Sequence, residues 1–596
     1  MLIDNTNFDP SGYEPLDIPK RLRSYSDVSR DQDEVKRRHI NLTAFSQAFS
    51  SHMPKTMAST VPPAPSGYYQ LASHPFENQF RQAMQIEFNK LLDMHAFELI
   101  SAQHVQQAHQ TNCDTDQSDC PRHQLIQMRW VYAYKTDESG YITRFKARLC
   151  VRGDTQIPDD QDARTSTLAA RTFRTLMAIM TRYDLDSFQM DAVNAFLNSS
   201  LTEEVYCRYP PGLGKSTKVL RLHKAVYGLR IAGKKWEDDI KVMLLSIGFK
   251  PCPDDPALYT DNRMVIMVFV DDFLGLYHRS ESTHAHQVKN LLSQRFEMKD
   301  CGELTQFIGI RIVRDRLKRK TWLNQSAYIE KVATRFNILN SSTKTVKTPL
   351  PTTQKLDPIL SKLINPKIVK LFQQKCGSTL FPAVWTRLDT AFANQLLAKS
   401  LTRCDETHLK AVDHLIAYLY QTKHLSLCFD SEMRASIFTA ASDASFADNP
   451  DRKSSEGFVF CLFGGPIEWK SRKQKTITTS TTEAELLAIS HAAKQLYWIK
   501  RLFSFIHFET DELDTMQCDN MQTVDLLTRE RSTFQTKLRH VDIHQLWIRQ
   551  EVQAKRLRIE WVKSADMLAD GLTKRFSAEK HAVFIQQLGM EILPVL

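Results

Sequence analysis

No run of about 18 consecutive apolar residues occurs in this sequence, which excludes a helix able to cross a bilayer. The opening MLIDNTNFDPSGYEP has neither the basic start nor the apolar segment of a secretory signal, so an intracellular chain is expected. Cysteine is scattered: the nearest pair, Cys113 and Cys120, has no second cysteine or histidine pair at zinc spacing. That excludes a zinc-finger scaffold and leaves reduced thiols. Nor is there a repeat at a period of about 20–50 residues, which excludes a solenoid.

What is present points to several folded domains. The chain has 596 residues, well past the roughly 250–300 at which a single core stops growing. Hydrophobic residues at 42% and charged residues at 24% suit a folded soluble protein. Lys+Arg exceed Asp+Glu by 78 − 68 = 10, which fits a polyanionic partner without demanding one. Residues 1–67 mix charge runs (Lys36-Arg37-Arg38) with the breaker cluster VPPAPSG and read as a poorly ordered leader or linker. A second breaker-rich stretch, SSTKTVKTPLPTTQKLDP at 341–358, ends one large unit. Beyond about residue 436 the order is strand (IFTAASD), strand (GFVFCLF), strand (PIEWK), long helix (Thr482 to Leu502), strand (MQCD), helices, strand (LRIEWV) and a last helix. Such an order predicts a mixed sheet with helices on its faces.

Two constellations carry chemistry. In MVIMVFVDDFLGLY (264–277), apolar residues flank Asp271 and Asp272 and predict a β-hairpin with the acidic pair at its turn. Carboxylates at the edge of a buried strand pair call for a cation, although an exposed acidic turn explains the segment alone. Upstream, SFQMDAVNAFLN ends a half-apolar stretch in Asp191, and a third carboxylate at a strand end permits a two-metal site. In the last third, Asp443, Glu485, Asp519 and Asp570 each close an element of the strand and helix pattern. Each acid also has a bland explanation. Thr482 and Glu485 have capping-box spacing, Asp519 suits a helix N-cap, and Asp570 suits the surface.

The longer text is similar to copia-like LTR-retrotransposon Pol polyproteins, in their reverse transcriptase plus ribonuclease H region. FVDD resembles a YVDD box, with Phe269 for tyrosine. WVYAYKTDESGYITRFKARLCVRG, QMDAVNAFLNSSLTEEVY, HKAVYGLRIAGKKW and CGELTQFIGIRI resemble the polymerase blocks; SDASFAD, KSSEGFVF, IEWKSRKQKTITTSTTEAEL, CDN and MLADGLTKR resemble the nuclease blocks. The resemblance covers roughly residues 75 to 575. It implies an α+β multidomain chain with reverse-transcriptase fingers, palm and thumb at 68–345. A linker and helical connection would follow at 346–435, then an α/β ribonuclease H-like domain with a mixed sheet at 436–575 and a tail at 576–596.

By the same resemblance Asp191 and Asp271 bind metal, with Asp272 in support, and Asp443, Glu485, Asp519 and Asp570 hold the nuclease metals. Glu485 is preferred to Glu483, and Asp570 to Asp566. Each site would take two magnesium or manganese ions. Lys146, Arg148 and Arg230 would face the nucleotide, and Phe196 would exclude a 2′-hydroxyl; solvated strand charges and a core phenylalanine are the competing explanations. The implied partners are an RNA template, a DNA primer, RNA–DNA hybrid and dNTPs, with no membrane. The implied compartment is the cytoplasm, in retroelement particles, with the nucleus as a second. With no zinc knuckle, protease loop or integrase cluster in the sequence, the chain would resemble the C-terminal part of a polyprotein, or a truncated genomic copy with its own Met1. Two departures stand out. Ile231 replaces a family glutamine that donates to the nucleotide, and TSTLAARTFR (165–174) matches its block poorly. Ile231 favours the rival reading, an inactive or co-opted remnant that binds nucleic acid without turnover; seven retained carboxylates oppose it. Restoring glutamine at 231 is expected to raise incorporation efficiency several-fold to about tenfold.

Overall fold

The structure is a computed structural model and describes residues 56–102, 124–137, 140–157, 164–214, 216–339, 345–351, 356–359, 365–432, 437–510, 514–529 and 539–594. Most of the expected leader, residues 1–55, lies outside the described residues; beyond it, Met57 bridges Tyr141. Two compact units emerge, one of Met1–Gln161 with Ser200–Ala232 and one of Asp162–Ser199 with Gly233–Leu596.

In the first unit the helix Glu77–Asp93 buries Phe80, Met84, Phe88 and Leu91, spaced four, four and three residues apart so that one face is apolar. A four-stranded sheet has the order Phe97–Ser101, Lys218–Lys224, Ser200–Arg208, Leu125–Ile126. A two-stranded ribbon joins Met128–Thr136 to Ile142–Val151. On its second strand Ala147, Leu149 and Val151 are buried, whereas Lys146 and Arg148 alternate onto the other, half-buried face.

The second unit starts with α1 (Ala170–Tyr183), in which every residue from Thr172 to Thr181 is buried. In its six-stranded sheet β1 (Asp186–Ala192) lies second from one edge, packed with α2 (Ala232–Ser246) around a core that includes Phe188, Trp236, Ile240 and Phe273. The hairpin of β2 (Met264–Phe269) and β3 (Asp272–Tyr277) lies beside β1. A glycine is required where β3 crosses β1: a Cβ at Gly275 would stand 2.3 Å from the Phe188 ring.

A second sheet pairs β4 (Lys320–Asn324) with β5 (Leu425–Asp430), and β5 with Glu591–Ile592. It therefore draws on three segments that sequence composition separates. A breaker-rich stretch such as 341–358 does not end a core, because the apolar faces on either side of it still seek each other.

The third sheet has the order β8 (Gly465–Lys473), β7 (Ser455–Leu462), β6 (Phe438–Ser445), β9 (Thr515–Cys518), β10 (Arg558–Trp561), with β6–β9 and β9–β10 parallel and the others antiparallel. Helix α3 (Thr481–Phe505) packs on it. This is the mixed sheet expected from the strand and helix order, and the chain as a whole is α+β. One apolar core runs from Phe173 and Leu176 of α1 through Leu323 and Trp385 to Phe458, Ile489 and Phe584. Among the described residues no helix is long and apolar enough to cross a membrane.

Gly457 on β7 lies opposite Asp443, and a Cβ there would stand 2.6 Å from Leu572 Cβ. Overpacking of a closed core costs typically about 1–3 kcal/mol. Gly457→Ala is accordingly expected to lower the unfolding midpoint by several degrees in a thermal melt, and an unchanged midpoint would show that the turn at Leu572 yields freely.

Candidate functional site

The register of three strands assembles the first group of acids. Asp272 pairs across with Asp191 on β1 and with Phe269 on β2, so only Val270 and Asp271 form the turn. One acid thus sits in the turn and its neighbour in the strand, where the sequence pattern had placed both at the turn. Val270 has φ +58°, a conformation costly for a β-branched residue. Two bonds hold it there: Trp236 Nε1 donates to Val270 O at 2.6 Å, and Ala192 N donates to Asp271 O at 2.7 Å. Asp272 Oδ1 accepts from Gln189 Nε2 at 2.9 Å. Burial raises the Asp272 carboxyl above its usual range, the Gln189 bond opposes that, and the charges of Asp271 and Asp191 add to it.

Phe196 lies on a short 3₁₀ turn, Ala195–Asn198, after Asn194 in the left-handed region. Its half-buried ring packs on the Trp236–Phe273 core and lines a cavity of about 100 Å³ with Trp236, Tyr259, Val268 and Val270. Phe196 therefore makes the core contact and also walls an open space beside the Val270–Asp271 turn.

Lys146, Arg148 and Arg230 belong to the first unit. Burial lowers the Lys146 ammonium, and the adjacent Arg148 lowers it further. The Arg148 guanidinium stands 4.9 Å from the Tyr227 ring centroid, and the half-buried Arg230 donates its backbone N–H to Gln156 Oε1 at 3.3 Å. Ile231 is 3% exposed. An amide in its place would be withdrawn from water and costly unless partnered, so the gain expected from Ile231→Gln is withdrawn.

The second group of acids is deeply set. Asp443 on β6, Glu485 on α3 and Asp570 on the 3₁₀ turn Asp570–Leu572 are buried, and Asp519 directly follows β9. Ligand atoms of Asp443, Asp519 and Asp570 all lie within 4.8 Å of one another, and so do those of Glu485, Cys518 and Asp519. The bland explanations fail on geometry. Helix α3 is capped by Ser480, which accepts from Glu483 N at 3.2 Å, while the Glu483 carboxylate accepts from Thr479 N at 2.6 Å. Glu483 closes the helix start and Glu485 does not. Asn520, not Asp519, caps the next helix, and Asp519 Oδ2 accepts from Ser564 Oγ at 2.8 Å. Asp566 is exposed, Asp570 only 3% so.

Sequence reading missed the cations of this cluster. Lys574 Nζ is paired with Asp570 Oδ1 and stands 3.5 Å from Asp443 Oδ1; Lys580 Nζ is 2.8 Å from Asp570 Oδ2, and the Thr573 hydroxyl donates to Asp443. The spacing of Asp570 and Lys574, four residues, was the available signal. Burial pushes Asp443 up to about 6, with Lys574 and Thr573 opposing and Asp570 and Asp519 reinforcing. Burial raises Glu485 well above the usual range, and Asp443 and Asp519 raise it further. Asp443 Oδ1 and Glu485 Oε2 accept no hydrogen bond. Glu485 Oε2, without a donor and beside the Asp443 and Asp519 charges, and Asp443 Oδ1, met only by the Lys574 ammonium at 3.5 Å, fit a divalent cation such as magnesium or manganese.

Residues 117–351 match the family described as Reverse transcriptase (RNA-dependent DNA polymerase). Over 546 residues the chain is 31% identical to the Retrovirus-related Pol polyprotein from transposon TNT 1-94 of Nicotiana tabacum, covering 88% of this chain and 39% of that relative. Over 530 residues it is 29% identical to the corresponding polyprotein from transposon RE1 of Arabidopsis thaliana, covering 87% and 34%. The chain thus spans less than two-fifths of these relatives. A foamy viral protease-reverse transcriptase in complex with double-stranded DNA is similar at 13% identity and a TM-score of 0.46, over 86% of this chain and 74% of that one.

The raised Asp443 pKa has a definite sign for stability. A carboxyl whose folded pKa is raised stabilises below its unfolded value, near 3.8, and loses that contribution as pH rises through about 6. In excess chelator at pH 7.5, Asp443→Asn is expected to raise the unfolding midpoint by an amount worth roughly 1–3 kcal/mol. The gain should vanish near pH 4, and a lower midpoint in the variant at pH 7.5 would contradict the assignment.

Proposed function

We propose that this chain, whose residues 117–351 belong to the reverse transcriptase family, is an RNA- and DNA-directed DNA polymerase joined to a ribonuclease H, of copia-like retrotransposon origin. The observation that carries the reading is the pairing of Asp191 with Asp272 beside the turn at Asp271, within one unit that also gathers Asp443, Glu485, Asp519 and Asp570. Seven carboxylates brought to two places cost stability in a chain that makes no use of them.

Asp191 and Asp271 would hold two magnesium or manganese ions for synthesis, and Asp272, fixed by Gln189, would support them. Asp443, Glu485, Asp519 and Asp570 would hold the nuclease pair. When bound, such ions supply Lewis-acid activation of the attacking oxygen and stabilise the leaving oxygen. The strained Val270–Asp271 turn, tied by Trp236 and Ala192, fixes the Asp271 backbone before any substrate arrives. The Phe196 ring, backed by the α2 core, would lie against the sugar of the incoming dNTP and exclude a 2′-hydroxyl. Lys146, Arg148 and Arg230 would offset its phosphate charge.

The substrates follow from this chemistry: an RNA template with a DNA primer, then RNA–DNA hybrid, held mainly through backbone and 2′-hydroxyl contacts with little sequence preference. We place the polymerase at 68–345, the connection at 346–435 and the nuclease at 436–575, and an intracellular setting fits the reaction. The buried Ile231 favours the second reading, a remnant that binds without turnover.

Primer extension on a homopolymer RNA template with magnesium separates the two. Wild type should extend, and Asp191→Asn or Asp271→Asn should abolish extension while sparing hybrid cleavage. Glu485→Gln should do the reverse, whereas Glu483→Gln should cleave and lose only about 1 kcal/mol of stability from a weakened helix start. Wild type that binds hybrid yet neither extends nor cleaves would establish the remnant. Phe196→Val should raise ribonucleotide incorporation relative to deoxynucleotide; an unchanged ratio in an active, folded variant makes Phe196 a core residue only.

A further inference from the structure

The nuclease cluster is divided by charge. On one side Asp570 is held by two ammonium groups, Lys574 and Lys580, and Lys574 also reaches Asp443. Glu485, on the other side, and Asp519, whose ligand atoms lie within 4.8 Å of those of both groups, form no ion pair among the described residues; Glu485 Oε2 accepts no hydrogen bond, and Asp519 accepts from the Ser564 hydroxyl. The acids are gathered closely enough to share cations, but one half already has its own.

We propose that Lys574 is a built-in counter-cation, seated between Asp443 and Asp570 in the metal-free protein and displaced when that half of the cluster takes a divalent ion. The inference rests on reading the cluster as a metal-binding nuclease centre. Three observations support it. Lys574 bridges two acids, from β6 and from the 3₁₀ turn, while Lys580 touches only Asp570. The Lys574 side chain is 39% exposed, so its ammonium has a route to water, whereas the Asp443 and Asp570 side chains are 1% and 5% exposed and stay in place. Thr573 is buried and its hydroxyl donates to Asp443, so the backbone at the root of Lys574 is anchored and the side chain alone moves.

A mobile monovalent cation keeps buried like charges together at low metal. It also sets a threshold, because an incoming ion at Asp443 and Asp570 must compete with it. An ion at Glu485 and Asp519 meets no such competitor, so the two ions bind in sequence, the second more weakly. Lys574 is thus a positioning residue that tunes loading and not a group that reacts.

The test is calorimetric titration of the full-length chain with Mn²⁺, in an Asp191→Asn, Asp271→Asn background that silences the polymerase acids, with unfolding midpoints measured in excess chelator. Two classes of nuclease ion are expected. Lys574→Met should tighten the weaker class by about fivefold or more, the lower end of typical coupling between sites, and lower the chelator midpoint. Lys574→Arg should keep the wild-type isotherm, and Lys580→Met should change it less than Lys574→Met does. A residue that only held the fold together would lose stability and metal affinity in parallel. Weaker or unchanged Mn²⁺ binding in a folded Lys574→Met chain overturns the proposal. If Asp570→Asn added to that background removes no Mn²⁺, the underlying metal-centre reading falls as well, a result that the Lys574 variants cannot produce.

Discussion

One buried guanidinium fixes the third sheet to the rest of the second unit. Arg174 on α1 donates from Nε to Ile467 O at 2.7 Å and from Nη1 to Val384 O at 2.7 Å and Trp385 O at 3.2 Å, and its guanidinium lies 3.8 Å from the Trp469 ring centroid. Burial pulls this group down towards about 9, which leaves it protonated at neutral pH. A buried cation bonded to backbone carbonyls and an aromatic face cannot relax without losing those partners together. Arg171, one turn earlier, repeats the pattern with Glu468, Gln495 and the Trp498 ring. The continuous core from α1 to α3 depends on this clamp, because a sheet that slid on α1 would strand both charges.

Within that frame the two acid groups meet like-charge repulsion in different ways. Around Asp191, Asp271 and Asp272 the burial is partial, and water with one amide, Gln189, shares the load. The strain there is in the backbone, at Val270, where two hydrogen bonds hold a conformation that valine resists. Asp443, Glu485 and Asp570 are almost fully buried, so the strain at their cluster is electrostatic: raised pKa values at Asp443 and Glu485 and a lysine drawn onto Asp570. A shallow site can rely on solvent. A deep one needs cations of its own.

Much of this was legible in the sequence. The strand and helix order after residue 436 was readable because apolar runs there are short and sharply punctuated, and the hairpin at 264–277 because its flanks are uniformly apolar. Of the four acids expected to end elements, Asp519 follows a strand and Asp570 opens a 3₁₀ turn, whereas Asp443 lies inside β6 and Glu485 inside α3. What composition could not show was pairing between distant strands. The loop-rich 341–358 looks like a boundary, yet β4 and β5 pair across it, and the tail contributes Glu591–Ile592 to the same sheet. Local polarity reports on a loop's exposure and says nothing of whether the faces on either side share a core. The cap assignment failed for a similar reason. Thr482 and Glu485 have the right spacing, but Ser480 and Glu483 have it too, and only the entry angle of the chain decides between them.

The stretch TSTLAARTFR illustrates how a departure from a family block acquires a meaning once packing is known. Read along the chain it is a poor match in a polymerase segment. In the fold it supplies Arg171 and Arg174, and Ala169 N and Thr172 Oγ1 donate to the buried Asp255 at 3.1 and 2.5 Å. Its residues answer to the third sheet and to the helix Pro366–Trp385 more than to any nucleotide. Its divergence therefore belongs to the seam of α1 with the third sheet and the helix Pro366–Trp385, a surface on which each chain must match only itself. A change there has no reason to alter the carboxylates of either site, provided that it is compensated across the seam. Ile231 is different, because it is buried in the first unit, five residues before the Trp236 whose indole donates to Val270 O, and it takes no part in that seam.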